Sequence, residues 1–199
     1  MSRYSLDGRW YIHDDPESLG FEAISSATDG FIAATVPGNI QGDLQDARIL
    51  PPFRYGAVDE RYYAVAMKDW WYKKEFILPK DFVGKRLTLE FEGVDYSCEI
   101  WLNGEKVYVH EGMFERFFFD VTDSVRSGKN ELFVRIEKMP EEFLEYIIGS
   151  DGAQSGAGTP YHFVTGNNVI RNRLKGLKSP ANLSYDWGSN MYTLGIWRS

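Results

Sequence analysis

Cysteine is nearly absent from this sequence. Cys98 is the only one among 199 residues, which excludes an internal disulfide, a thiolate zinc cluster and a redox pair. Histidine is scarce too. His13, His110 and His162 stand far apart, without metal-ligand spacing. No run approaches the ~18 apolar residues of a membrane helix, so no membrane partner is expected. The opening Met1-Ser2-Arg3-Tyr4-Ser5 lacks the apolar stretch of a signal peptide, and the native compartment stays open. Positive charge is outnumbered: 22 Lys and Arg face 29 Asp and Glu, for a net charge of -7. Such a chain is repelled by phosphate backbones, which argues against nucleic acid as a partner. A P-loop, a GxGxxG turn after a strand and a GxSxG elbow are all missing. No cofactor and no metal are expected.

Aromatic residues, by contrast, are plentiful at 16% of the chain. They suit strands, and their flat faces also suit the apolar side of a sugar ring. Strand patterns recur at short intervals. Gly8 to Ile12, Gly30 to Val36 and Trp71 to Leu78 read as strands, and Pro37-Gly38 and Pro79 close the last two. Period-two alternation places Leu87, Leu89 and Phe91 on one face. The same holds for Cys98, Ile100 and Leu102, and for Leu132, Val134 and Ile136. Asn103-Gly104 between two such runs signals a tight hairpin. Phe117 to Val121 and Tyr192 to Trp197 complete the strands. Ile40 to Ala47 and Glu141 to Ile148 read as short helices, and Ile49 to Gly56 as an extended surface segment. The pattern predicts an all-β fold, an antiparallel sandwich or jelly roll, in one domain spanning 1–199.

Two segments combine polar and aromatic side chains in a way that suits binding. Tyr185-Asp186-Trp187-Gly188 sets a carboxylate, which accepts hydrogen bonds from hydroxyls, beside an indole face. The plainer alternative is a turn whose tryptophan plugs the core. In Asp69-Trp70-Trp71-Tyr72, alternation sends Trp70 and Tyr72 to one face and Trp71 to the other. One face belongs to the core, and the other is free to meet a neighbouring domain. Glu141-Glu142 is the most visible carboxylate pair, but adjacent residues on a helix point apart, so no catalytic residue is assigned. The glycine- and serine-rich 149–158 stretch is expected to be a mobile loop.

In this order and spacing the motifs carry a family resemblance. Leu6-Asp7-Gly8-Arg9-Trp10, Gly93-Val94-Asp95, Ile100 to Gly104, Phe119 to Asp123 and Gly128 to Leu132 resemble the N-terminal sugar-binding jelly roll of glycoside hydrolase family 2. Val36 to Leu44, Asp69 to Tyr72, Asp186-Trp187-Gly188 and Gly195 to Arg198 are similar to its β-mannosidase branch. The resemblance implies a retaining exo-glycosidase whose two catalytic glutamates sit on a (β/α)₈ barrel. Such a barrel needs about 250 residues, so it is expected C-terminal to residue 199 and outside this chain. It further implies that Asp186 and Trp187 help hold the terminal β-linked sugar; Tyr185 beside them is expected to join in binding, and Trp70, Tyr72 and Arg198 are expected to meet the barrel. A relative acting on β-galactosides or β-glucuronides, a stand-alone carbohydrate-binding module and a purely structural domain stay as alternatives.

Overall fold

The computed structural model describes residues 2–53, 60–138 and 193–199. The helix expected over 141–148, the 149–158 loop and Tyr185 to Gly188 lie outside the described residues. The strands are β1 (Gly8–Asp15), β2 (Ile32–Val36), β3 (Asp69–Ile77), β4 (Thr88–Phe91), β5 (Ser97–Leu102), β6 (Glu105–Glu111), β7 (Phe117–Asp120) and β8 (Lys129–Ile136). Among the described residues three short α-helices, α1 (Phe21–Ser26), α2 (Ile40–Asp46) and α3 (Glu60–Ala66), interrupt them.

All described strand pairs are antiparallel. One sheet has six strands in the order β2-β1-β3-β8-β5-β6, and a smaller one pairs β4 with β7. This is the expected all-β sandwich. The alternating pattern explains it. Trp10, Ile12, Tyr72, Cys98, Ile100, Leu102, Leu132, Val134 and Ile136 all point to the inner face and are buried, with Phe91 and Phe117 of the small sheet facing them. Each large apolar side chain contributes about 1.5–3 kcal/mol on burial. The free thiol of Cys98 is simply a small core group. Leu87 and Leu89, expected inside, are only half-buried; they lie just before and within the short strand β4 and pack against the edge of the main core. Leu50, in the segment expected at the surface, turns inward instead.

The outer face of the large sheet has its own smaller core. Trp71, Phe133 and Ile24 of α1 pack together, and Phe21 stacks on Trp101 with ring centroids 4.3 Å apart. The Asn103-Gly104 turn joins β5 to β6 with both residues at positive φ, 54° and 97°, as the hairpin signal requires.

The segment 193–199 departs from expectation. It makes one isolated bridge, Asp95 with Gly195, rather than a strand. Its carbonyls are shared between two loops, neither of which is a regular strand. Gly38 N and Ile40 N donate to Ile196 O and Leu194 O on one side, and Asp95 N donates to Gly195 O on the other.

Candidate functional site

The candidate site is the anchorage of this C-terminal segment. Of the sequence-predicted site residues, Tyr185, Asp186 and Trp187 fall outside the described part, but Thr193 follows Trp187 by only six positions in sequence. Two loops grip it. The first runs from Val36 into α2. Asn39 caps that helix, its side chain accepting from Gly42 N at 2.8 Å. The cap leaves Gly38 N and Ile40 N to donate outward, to Ile196 O and Leu194 O, each at 2.9 Å. Gln41, which is buried, accepts from Leu194 N at 3.2 Å. The second loop is Gly93-Val94-Asp95. Asp95 exchanges both backbone hydrogen bonds with Gly195, at 2.8 and 3.1 Å, and its carboxylate accepts from the Thr193 hydroxyl at 2.8 Å.

Glycine is required where these pieces meet. Gly195 has φ of +142°, and a Cβ there would come within 2.6 Å of Tyr72 Oη and 2.9 Å of Asn39 Cα. At Gly93 a Cβ would press on the Trp197 indole at 2.9 Å. The interior of the junction is polar. Asp43 Oδ1 accepts from Thr35 N at 3.0 Å, whereas Oδ2 is buried without a hydrogen-bond partner among the described residues. Burial is the main reason its pKa rises to about 6, partly offset by the Thr35 bond. Burial also pushes the Tyr72 hydroxyl well above the usual range, with the Asp43 and Asp95 charges adding to the effect.

Beyond Ile196 the segment reaches the surface. Trp197 Nε1 donates to Met113 O at 2.8 Å, and half-exposed Phe114 meets the indole edge-on at 6.1 Å. The Arg198 guanidinium is 4.1 Å from the centroid of the same indole and is exposed. Trp70 and Tyr72, expected to offer an interdomain surface, do not. They are 2% and 0% exposed. Both point to the inner face, where Trp70 Nε1 donates to Val65 O at 2.8 Å. The outer-face residue, Trp71, is buried as well, because α1 covers it.

Comparison with known proteins decides the family. Residues 17–198 match the model of the glycosyl hydrolase 2 galactose-binding domain-like family. The chain belongs to that family. It is 28% identical to the β-mannosidase of Bos taurus over 98% of its own length and 20% of that protein's. The crystal structure of β-D-mannosidase from Dictyoglomus thermophilum superposes with a TM-score of 0.69 and 30% identity, covering all of this chain and 22% of that one. The β-glucuronidase of Ruminococcus gnavus superposes with a TM-score of 0.53 and 26% identity over 68% of this chain and 21% of that one. The chain thus spans about a fifth of the length of these relatives.

Within this galactose-binding-like domain, sequence reasoning overlooked two buried carboxylates on neighbouring strands, Asp15 and Asp69, which face each other across β1 and β3. All four oxygens serve the fold. Asp15 accepts from Leu19 N, Gly20 N and Trp71 Nε1. Asp69 accepts from Ser18 Oγ, Lys138 N and Arg135 Nη2, the last at 2.8 Å. Although burial opposes it, these donors hold the Asp69 carboxyl below its ordinary value. Both aspartates are 1% exposed, their carboxylates turned to these donors rather than to solvent. Among the described residues, no group of His, Cys, Asp or Glu side chains is arranged to hold a metal ion, and no helix is long and apolar enough to cross a membrane. Asp95 and Gln41, buried side chains that hold the C-terminal segment, were also missed as site residues. Gly93-Val94-Asp95 was visible as a motif, but its partner lies about a hundred positions away.

Proposed function

We propose that this domain is the N-terminal, non-catalytic part of a longer retaining exo-β-glycosidase of β-mannosidase type. The catalytic barrel would follow residue 199, and Asp186 and Trp187, with Tyr185 beside them, would form one wall of the pocket for the terminal β-linked sugar. The observation that carries this reading is coverage. The β-mannosidase structure aligns with the whole chain, and the β-glucuronidase with 68% of it. The anchorage adds support. A chain clamped by Asp95, Gln41 and the 38–40 backbone from Thr193 onward gives the preceding residues a fixed root, and a sugar-positioning group needs one. Exposed Arg198 and Phe114, both in contact with half-buried Trp197, would form the aromatic and cationic surface that meets the barrel, in place of Trp70 and Tyr72.

The test compares this chain alone with a protein that carries its downstream sequence, on aryl β-mannoside, β-glucuronide and β-galactoside. Only the longer protein should turn over substrate, and the mannoside should be fastest. Turnover by the chain alone, lost on mutating one of its own carboxylates, would refute the reading. A preference for glucuronide would favour the β-glucuronidase alternative, the second activity named among the similar structures.

A further inference from the structure

The outer face of the large sheet is only partly covered. Helix α1 closes over Trp71, Trp101 and Phe133, and Tyr11 is not part of that cluster. Tyr11 is 40% exposed although its neighbours Trp10 and Ile12 are buried. Around it lies an open groove of about 440 Å³, lined by Arg9, Tyr11, Phe31, Lys73, Lys74 and Glu75. That size falls within the range of small-ligand sites, about 300–1,000 Å³. The groove is on the opposite face from Tyr72, whose hydroxyl meets Gly195. It is therefore separate from the anchorage described above.

Its chemistry is specific. Tyr11 and Lys73 are directly opposite each other across β1 and β3, so both side chains rise from the same face of the sheet. Lys73 is held in place by Glu131 at 2.8 Å and lies 5.2 Å from the Phe31 ring centroid. Lys74 is committed to the fold, its ammonium bonding Arg9 O at 2.7 Å. Glu75 is paired with Lys129 at 2.9 Å. Arg9 differs from these. It is exposed, its guanidinium sits 5.7 Å from the Tyr11 ring centroid, and it makes no ion pair or hydrogen bond from its side chain among the described residues. A planar fork of donors that is unpaired in a chain of net charge -7 is matched to a planar carboxylate or a sulfate. The neighbouring tyrosine face is matched to the C–H face of a pyranose. Membership of a glycosyl hydrolase family makes saccharides the polymers within reach of this surface.

We propose that the groove is a binding site for an acidic saccharide, with a uronate or sulfated sugar stacked on Tyr11 and its anionic group on the Arg9 guanidinium. The openness of the groove suits an internal segment of a polymer rather than a chain end. The claim does not depend on the proposed glycosidase activity, since it is read by binding and not by hydrolysis.

Calorimetric titration of this chain with trigalacturonate in low-salt buffer tests it, with mannotriose and a tri-glutamate peptide as controls. Trigalacturonate should bind, and binding should weaken at least tenfold in Arg9→Ala, in Tyr11→Ala and on raising salt. Both side chains are exposed, and unchanged thermal unfolding of the variants would show that the fold is kept. Arg9→Ala alone suffices if Tyr11→Ala does not fold. Undetectable binding at millimolar trigalacturonate, equal binding of mannotriose or of the peptide, or full binding by Arg9→Ala would each overturn the proposal.

Discussion

At Asp43, burial and hydrogen bonding act in opposite directions, and burial wins. In the folded chain the carboxyl keeps its proton up to about pH 6, against 3.8 for an ordinary aspartate. Between those values the folded state binds more protons than the unfolded one, so this group makes stability fall as pH rises. The cost levels off above about pH 7 and, at 1.36 kcal/mol per unit, is at most about 3 kcal/mol, less to the extent that solvent reaches the carboxyl. Asp43→Asn keeps an acceptor for Thr35 N and carries no charge. Urea unfolding of both proteins should show the variant gaining about 2 kcal/mol relative to wild type between pH 4 and pH 7. Parallel stability curves would contradict this. Gly195 gives a second residue-scale expectation. Gly195→Ala combines an unfavourable φ with contacts at 2.6 and 2.9 Å, and should lower the unfolding free energy by about 2 kcal/mol. Both positions fall inside recognised motifs, but their roles are not legible there, because Tyr72, which both of them meet, is distant in the chain. The Asp43 environment is made by Thr35 and Tyr72, and that of Gly195 by Asn39 and Tyr72.

At the scale of elements, the β5–β6 hairpin is tied to the turn before β8 through two asparagines. Asn103 Nδ2 donates to Asn130 Oδ1 at 2.8 Å and to Ser124 O at 2.7 Å, and its Oδ1 accepts from Glu131 N at 3.0 Å. Asn130, only 1% exposed, also accepts from Arg126 N and donates to the carbonyls of Arg126 and Gly128. Asn130→Ala would strand several of these groups and should cost about 3 kcal/mol. Denaturant unfolding checks this, and a loss below about 1 kcal/mol would show that water replaces the side chain. The strands themselves were legible. Leu132, Val134 and Ile136 alternate as the inner face requires, and Asn103-Gly104 marks the turn. Helix α1 was not. It has six residues, its N-cap is Gly20 with φ of 88°, and no side chain caps it. Its stability comes from Phe21 and Ile24 packing on Trp71, Trp101 and Phe133, strand residues remote in sequence. Nor was the irregular course of 193–199, since Tyr192 to Trp197 carries a strand-like composition. Only the two loops that share its carbonyls bend it away from a ladder.

At the scale of the whole molecule, the sandwich holds its C-terminal segment with the buried side chains of Asp95 and Gln41, and under the proposed function it would serve as the base for an active site on a following domain. The family and its sandwich fold were readable because motifs such as Gly93-Val94-Asp95 and Asp69 to Tyr72 recur in fixed order. The orientation of Trp70 and Tyr72 was readable only as two alternative faces, and α1 decides it by burying the outer one. The central claim is that Asp186 positions the terminal sugar for chemistry performed elsewhere in a longer protein. The most direct measurement is kcat/KM of that longer protein on its best aryl β-glycoside, before and after Asp186→Ala, with thermal unfolding followed in parallel. Loss of a charged hydrogen bond of about 2–3 kcal/mol should lower kcat/KM on the order of a hundredfold, with the melting temperature unchanged. Near wild-type kcat/KM in a folded variant would contradict the account and leave the 185–188 segment a structural turn.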